Sequence, residues 1–215
     1  MYESFLFGNK TAEIILIQPV DERELESIPS EVEEIRKLAG MDDFALLAVK
    51  VNNWNVDLSP WNAPAVFGNE DFGAGAEETL KYINDLSEGE YEGRKIVLGG
   101  YSLAGLFALW AGTKNGNYSG IVAASPSVWF PGFTEYLKEH SAMADTVYLS
   151  LGDKESKTKN AVLATTDACI EKTRDILLCQ GVNCVLEWNE GNHFKEPEKR
   201  MAKGFAWALK EMAGK

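Results

Sequence analysis

Short apolar runs rich in Val, Ile and Leu alternate with amphipathic segments along this 215-residue chain. Such continuous runs are typical of strands that are buried on both faces of a parallel sheet. Six strands are predicted, over residues 13–18, 44–51, 95–99, 120–124, 146–151 and 183–188. Because parallel strands need right-handed crossovers that cover a sheet face, helices are expected on both sides. The pattern predicts a three-layer α/β fold with about six mainly parallel strands.

The segments between these runs carry helix signals. Ser30 and Glu33 have the spacing of a capping box, so a helix is predicted to begin there and to end at Gly40. Apolar residues at helical spacing predict further helices over residues 76–87, 159–180 and 197–212. No repeat or linker interrupts the alternation, so residues 1–215 are expected to form a single domain.

Charge and composition limit the kinds of molecule that this chain is expected to bind. The chain has 33 acidic and 21 basic residues and a net charge of −12, so neither nucleic acid nor an anionic membrane surface is an expected partner. No apolar run approaches the roughly 18 residues of a membrane span, and a cytoplasmic location is expected. The two histidines lie far apart and no cofactor motif occurs, so neither metal nor cofactor is expected. Nothing in the sequence indicates an oligomeric state.

Residues 52–75 interrupt the alternation with a long stretch that has neither helical nor strand period. The stretch contains the aromatic residues Trp54, Trp61, Phe67 and Phe72. Irregular loops of this length usually carry function, so this loop is predicted to form a wall of the substrate pocket. The alternative is that the aromatic side chains only attach an irregular loop to the core.

The clearest chemical signal follows the third predicted strand, where residues 99–105 read GGYSLAG before an apolar helix. This is the strand–turn–helix context of a G-x-S-x-G nucleophile elbow, with Ser102 at the tip. The turn is so sharp that its flanking residues must be small, and Gly100 and Ala104 meet this need. Ala104 replaces the usual second glycine. The alternative is a plain turn in which Ser102 caps the helix.

A serine hydroxyl becomes a good nucleophile only beside a base, and histidine is the usual one near neutral pH. His193 follows the last predicted strand at the sheet edge expected for Ser102, whereas His140 belongs to a short polar helix and is expected at the surface. The carboxylate that orients the base should follow the fifth strand, where Glu155 is favoured over Asp153. The order along the chain is then serine, acid, histidine.

The negatively charged oxygen of an acyl-transfer intermediate needs two hydrogen-bond donors. One is predicted to be the backbone N–H of Leu103, directly after the serine and at a helix N-terminus. The other is expected at the end of the first predicted strand, where Pro19 has no N–H and leaves Val20 or Asp21. Val20 is the favoured donor of the two.

These stretches resemble the esterase group of α/β hydrolases that includes enterochelin esterases, feruloyl esterases and S-formylglutathione hydrolases. The resemblance rests on GGYSLAGLFAL at residues 99–109, ASPSVWF at 124–130, LGDKES at 151–156 and GNHF at 191–194. It implies a compact α/β-hydrolase fold and a triad of Ser102, Glu155 and His193. It also implies that Ser125, Ser127 and Trp129 line the substrate pocket.

The sequence thus predicts a serine esterase that cleaves a small-molecule carboxylic ester through an acyl-enzyme intermediate. The predicted substrate-contacting residues are Trp54, Trp61, Tyr101 and Trp129. The rings of Trp54, Trp61, Trp129 and Phe130 favour an apolar or aromatic group in the ester. The same site would serve a thioesterase or an acyltransferase. A catalytically inactive binding protein with the α/β-hydrolase fold is the remaining alternative.

Overall fold

The computed structural model describes residues 2–213, and its centre is one seven-stranded sheet. The strands are β1 (Glu3–Gly8), β2 (Ile14–Val20), β3 (Ala45–Lys50), β4 (Lys95–Tyr101), β5 (Gly120–Ala124), β6 (Thr146–Gly152) and β7 (Asn183–Asn189). Their spatial order is β1-β3-β2-β4-β5-β6-β7. Strands β2 to β7 are parallel to their neighbours, and β1 is antiparallel to β3. The predicted α/β fold with a mainly parallel sheet is confirmed.

Helices cover both faces of this sheet. They are α1 (Glu22–Ala39), α2 (Trp54–Asp57), α3 (Ala76–Glu88), α4 (Leu103–Ala111), α5 (Phe133–Glu139), α6 (Thr166–Cys179) and α7 (Pro197–Ala213). Helices α1 and α7 pack on one face, and the apolar sides of α3 to α6 pack on the other. Within residues 2–213, no helix combines the length and the apolar character that a membrane crossing requires.

Strand β1 was not predicted, and the prediction of about six strands is one too few. It lies at the edge of the sheet beside β3, where all its residues are exposed or half-buried. Leu6 packs against the core on one face and Phe7 against the core on the other, but no residue of the strand is fully buried, so the strand does not need a continuous apolar run. The sequence signal used for the six buried strands is therefore absent here.

Helix α1 begins eight residues before the predicted start at Ser30. Its N-cap is Asp21, whose side chain accepts the N–H of Glu24 while the Glu24 carboxylate accepts the N–H of Asp21, so this pair forms the actual capping box. Pro29 lies inside the helix. The predicted end is correct, since Gly40 adopts the left-handed conformation (φ 70°) that favours glycine after a helix. The helix predicted over residues 159–180 is α6, which starts later than predicted, at Thr166. A 3₁₀ turn at Leu163–Thr165 precedes it.

A buried polar pair lies between α1 and the sheet. Glu31 and Gln18 are almost completely buried, and Gln18 Nε2 donates a long hydrogen bond of 3.5 Å to Glu31 Oε2. Within residues 2–213, Gln18 Oε1 and Glu31 Oε1 have no hydrogen-bond partner. Burial, together with repulsion from Glu24 and Glu198, raises the pKa of Glu31 well above its ordinary value. The charged form of Glu31 therefore destabilises the fold.

Replacing Glu31 by glutamine is expected to raise the free energy of unfolding near neutral pH by about 1–3 kcal/mol. A carboxamide cannot ionise, and it can donate to the unpartnered Gln18 Oε1. The folded chain holds the Glu31 proton more tightly than the unfolded chain, so the native protein loses stability as pH rises above the pKa of Glu31 in the unfolded chain. The stability advantage of Glu31→Gln over the native protein should therefore grow as pH rises. Denaturant unfolding at several pH values measures this, with exposed Glu26→Gln as control. Equal stability of Glu31→Gln and native protein at pH 8 would contradict it.

Candidate active site

Ser102 lies at the tip of the turn between β4 and α4. Its backbone has φ 56° and ψ −119°, a strained conformation for a residue other than glycine. A Cβ atom at Gly100 would lie 2.3 Å from the carbonyl carbon of Ala104, and one at Gly105 would lie 2.9 Å from the Gly100 oxygen. The turn is therefore possible only with small residues at these positions, as expected for a nucleophile elbow.

His193 reaches Ser102 from the loop that follows β7. Its Nε2 atom is 3.0 Å from Ser102 Oγ, and its side chain is 32% exposed. The Tyr101 hydroxyl donates to the backbone carbonyl of His193 at 2.5 Å. Burial raises the pKa of Tyr101 to about 12, so this hydroxyl keeps its proton and remains a donor. Tyr101, which was predicted to contact substrate, is thus placed against the histidine loop.

Glu155 approaches the other side of the histidine from the turn after β6. Its Oε2 atom is 2.7 Å from His193 Nδ1, and its side chain is only 4% exposed. Oε1 accepts hydrogen bonds from Ser125 Oγ and from the Gly152 N–H, each at 2.7 Å. Burial opposes ionisation, but the hydrogen bonds from His193, Ser125 and Gly152 outweigh it and hold the pKa of Glu155 below its ordinary value. The carboxylate is therefore ionised when it faces the imidazole.

The alternative acid and the alternative base lie elsewhere. Asp153 Oδ1 accepts the Gly191 N–H at 2.6 Å, so this carboxylate braces the histidine loop without contacting the imidazole ring. His140 follows α5, where its ring stacks on Tyr136 with centroids 4.0 Å apart. The structure brings together Ser102, His193 and Glu155, and it does not include Asp153 or His140 in this hydrogen-bonded chain.

Of the two predicted oxyanion donors, one begins the helix of the elbow and the other ends the neighbouring strand β2. Leu103 is the first residue of α4, so its N–H is one of the free donors at a helix N-terminus. Val20 is the last residue of β2, and its carbonyl accepts the Val51 N–H. The N–H of Asp21 already donates to Glu24 in the capping box of α1. In the register of β2 with β3, Val20 pairs with Lys50, so the Val20 N–H faces β3 on the same side as its carbonyl.

The loop after β5 lies directly beside the serine. Ser127 Oγ is 3.4 Å from Ser102 Oγ, and the Ser127 N–H donates to the Ser102 carbonyl at 3.0 Å. Ser125, two residues earlier, has φ 45° and uses its hydroxyl to contact Glu155. The resemblance implied that both serines line the pocket. The structure places Ser127 beside Ser102 and Ser125 beside Glu155.

Aromatic side chains of the long irregular segment pack against this same loop. Trp129 contacts Phe67 and Phe72, each with ring centroids 6.1 Å apart. Trp61 Nε1 donates to the Pro131 carbonyl at 2.9 Å. Trp54 begins the one-turn helix α2 and packs half-buried against the core. The segment is thus less irregular than predicted, because it contains α2 and a bridge between residues 63 and 72.

Comparisons with known proteins identify the fold through solved structures. No protein-family model and no curated protein matches the sequence. An IroE-like serine hydrolase from Shewanella oneidensis matches with a TM-score of 0.79 at 15% identity, over 98% of this chain and 76% of that one. The siderophore hydrolase EstA from Aspergillus nidulans matches with 0.69 at 17% identity, over 97% and 94%. The Bacillus cereus carboxylesterase matches with 0.65 at 16% identity, over 97% and 95%.

The chain has the α/β-hydrolase fold. In this fold the carboxyl ends of the parallel strands share one edge of the sheet, and ligands bind beyond that edge. Ser102, Glu155 and His193 follow β4, β6 and β7 at this edge. Among the described residues, no group of three or more His, Cys, Asp or Glu side chains has the geometry of a metal site.

One residue of this hydrolase-fold site was missed in the sequence. Arg200, on α7, is 3% exposed, and its Nη1 atom donates to Glu155 Oε1 at 2.8 Å. Its position carried a signal, because Arg200 falls on the apolar stripe that also contains Met201, Gly204 and Phe205. A charged residue on the buried face of a helix requires a partner, and the buried partner here is the Glu155 carboxylate.

Proposed function

We propose that this protein is a serine hydrolase that cleaves carboxylic esters of small molecules. The observation that carries the proposal is the continuous hydrogen-bonded chain from Ser102 Oγ through the His193 imidazole to the Glu155 carboxylate. Nucleophile, base and orienting acid need this arrangement for acyl transfer. The names of the structural neighbours, which include a carboxylesterase and a ferulic acid esterase, support ester chemistry.

In the first half of the reaction, Ser102 Oγ attacks the ester carbonyl carbon while His193 Nε2 takes the hydroxyl proton. Glu155 stabilises the imidazolium that results and keeps Nδ1 protonated. The tetrahedral intermediate then collapses, the bond to the alcohol oxygen breaks, and His193 returns the proton to that oxygen. The products of this half are the free alcohol and an acyl group on Ser102.

In the second half, water replaces the alcohol. His193 takes a proton from the water while the water oxygen attacks the acyl carbonyl carbon. The second tetrahedral intermediate then collapses, the bond to Ser102 Oγ breaks, and His193 gives that proton to Ser102 Oγ. The carboxylic acid leaves and the serine is regenerated. Exposure of about a third of the His193 side chain supports this step, because water has access to the imidazole.

We assign the oxyanion hole to the backbone N–H groups of Leu103 and Val20. A donor at the start of α4 adds the favourable field of a helix N-terminus to its hydrogen bond. Val20 ends β2, the strand next to β4, and Ser102 directly follows β4. The Val20 N–H faces β3 and the Asp21 N–H donates to Glu24, so the second donor must leave its present partner when the oxyanion forms.

We further propose that residues 52–75 form one wall of the substrate site within a single hydrolase domain. The contacts of Phe67 and Phe72 with Trp129 support this role, because they attach the segment to the loop that also carries Ser127. An aromatic wall favours an apolar or aromatic group in the ester. Trp54 and Trp61 belong to the same segment.

Hydrolysis of 4-nitrophenyl esters of graded acyl length tests the proposed function. The native chain is expected to release nitrophenol catalytically, and Ser102→Ala is expected to lower kcat/KM by at least about 10³-fold with unchanged circular dichroism. Ser141→Ala is a matched control, because Ser141 is exposed in the segment that leads into the amino end of β6, away from the carboxyl edge. Equal activity of Ser102→Ala and native protein would contradict the proposal.

A further inference from the structure

Arg200 binds two separate parts of the site with one buried guanidinium group. Nη1 donates to Glu155 Oε1 at 2.8 Å and to Ser125 Oγ at 2.9 Å. Nη2 donates to the backbone carbonyl of Asn192 at 2.9 Å and lies 3.4 Å from that of Glu190. Five donors in a rigid fork suit arginine to such a multiple contact.

These contacts determine which oxygen of the acid faces the base. Glu155 Oε1 receives hydrogen bonds from Arg200, Ser125 and the Gly152 N–H, and Oε2 remains for His193. With one oxygen saturated by three donors, rotation of the carboxylate away from the imidazole would break all three bonds. The carboxylate is therefore held in one orientation.

The same guanidinium holds the loop that carries the base. Asn192, whose carbonyl it binds, directly precedes His193, and the Tyr101 hydroxyl binds the next carbonyl along the chain. Arg200 Nη1 also lies 3.3 Å from the Tyr101 hydroxyl oxygen. Acid and base come from loops after different strands, and Arg200 contacts both.

We propose that Arg200 is a positioning residue that locks Glu155 and the His193 loop into the reactive arrangement. The inference rests on the proposed hydrolase function and deepens it. Burying an arginine is costly unless its charge is paired and its donors are satisfied. Here the charge is paired with Glu155 of the proposed triad, and the other donors bind Ser125 and the Asn192 carbonyl. Its placement on the inner face of α7 makes the packing of that helix a condition for an aligned site.

The positive charge of Arg200 also affects the protonation of the imidazole, which a neutral residue with the same hydrogen bonds would not do. The titratable groups around Arg200 are Tyr101, Tyr148, Glu155, His193 and Glu196. Arg200 compensates part of the Glu155 charge, so its removal exposes the imidazole to the full carboxylate and favours the protonated, inactive form. The acid limb of the pH profile of kcat/KM should then move to higher pH.

Two substitutions of Arg200 test the proposal on the purified 215-residue chain. Arg200→Met keeps the apolar stem, and we expect kcat to fall about 10- to 100-fold with KM changed less than about threefold. We expect the acid limb of kcat/KM to move up by about one pH unit. Arg200→Lys keeps the positive charge but lacks the planar guanidinium with its several donors. The acid limb of kcat/KM should therefore return toward its native position, while kcat recovers only in part.

Lys203→Met is the matched control, because it removes a cation one turn later on α7 whose partners are Glu187 and Asn189. It should leave kcat and the acid limb unchanged. A folded Arg200→Met protein with native kcat and an unmoved acid limb would overturn the proposal. If Arg200→Met does not fold, Arg200→Lys decides, and a native kcat in that variant would also overturn it. Failure of the native chain to hydrolyse any ester would refute the hydrolase function instead, so the two failures are distinguishable.

Discussion

Replacing His193 by alanine is expected to lower kcat/KM for ester hydrolysis by at least about 10³-fold. The imidazole is the group within hydrogen-bond distance of the Ser102 hydroxyl that can accept its proton, at 3.0 Å from Nε2 to Oγ. Without it, Ser102 must attack as a neutral hydroxyl, which is a weak nucleophile near pH 7. Steady-state kinetics with 4-nitrophenyl esters give the ratio directly.

The second histidine of the chain supplies the control. His140 stacks on Tyr136 beyond the end of α5 and has no contact with the serine. His140→Ala should therefore keep kcat/KM within about threefold of the native value, with at most a small loss of stability. Comparable losses in the two variants would mean that neither histidine acts as the base, and the proposed mechanism would be wrong.

The second large effect is expected from Glu155→Gln, which should lower kcat by about 10³- to 10⁴-fold. Glutamine has nearly the same shape but no charge, and its amide can present a donor to Nδ1, which favours the wrong tautomer of His193. It also leaves the buried Arg200 without an anionic partner, so some loss of stability is expected. Kinetics and thermal unfolding of the same preparation separate the two effects.

Asp153→Asn is the matched control for the acid. Asp153 accepts the Gly191 N–H, and an asparagine oxygen can accept it equally well, so kcat should change by less than about tenfold. If Asp153→Asn lost as much activity as Glu155→Gln, or more, the assignment of Glu155 as the acid of the triad would be contradicted.

The sharp turn that carries Ser102 was predictable because its signal is local. The small residues that the sharp turn requires lie within residues 99–105, and the strand before and the helix after are both visible in the apolar pattern. In the structure, Gly100 lies so close to Ala104 that a Cβ atom at Gly100 would clash with the Ala104 backbone, which is why the turn needs small residues. The position of His193 was predictable for a related reason. The parallel strands end at one edge of the sheet, and His193 follows the last strand at that edge.

The surroundings of Glu155 were not predictable to the same degree. Asp153 and Glu155 are two residues apart in one turn, and which of them faces the imidazole depends on where the neighbouring loop places the Gly191 N–H. Spacing favoured Glu155, but nothing local indicated that Arg200 would bind its second oxygen. That contact joins α7 to the turn after β6, so it follows only from the packed fold.

Covalent labelling by a fluorophosphonate, detected by intact mass, tests most directly whether Ser102 is an activated nucleophile. We expect a single adduct on the native chain and on Ser141→Ala, no adduct on Ser102→Ala, and much slower labelling of His193→Ala. An adduct on Ser102→Ala at the native rate, or no adduct on the folded native chain, would contradict the proposed role of Ser102. The second result would instead favour a protein that has the hydrolase fold and binds a ligand without cleaving it.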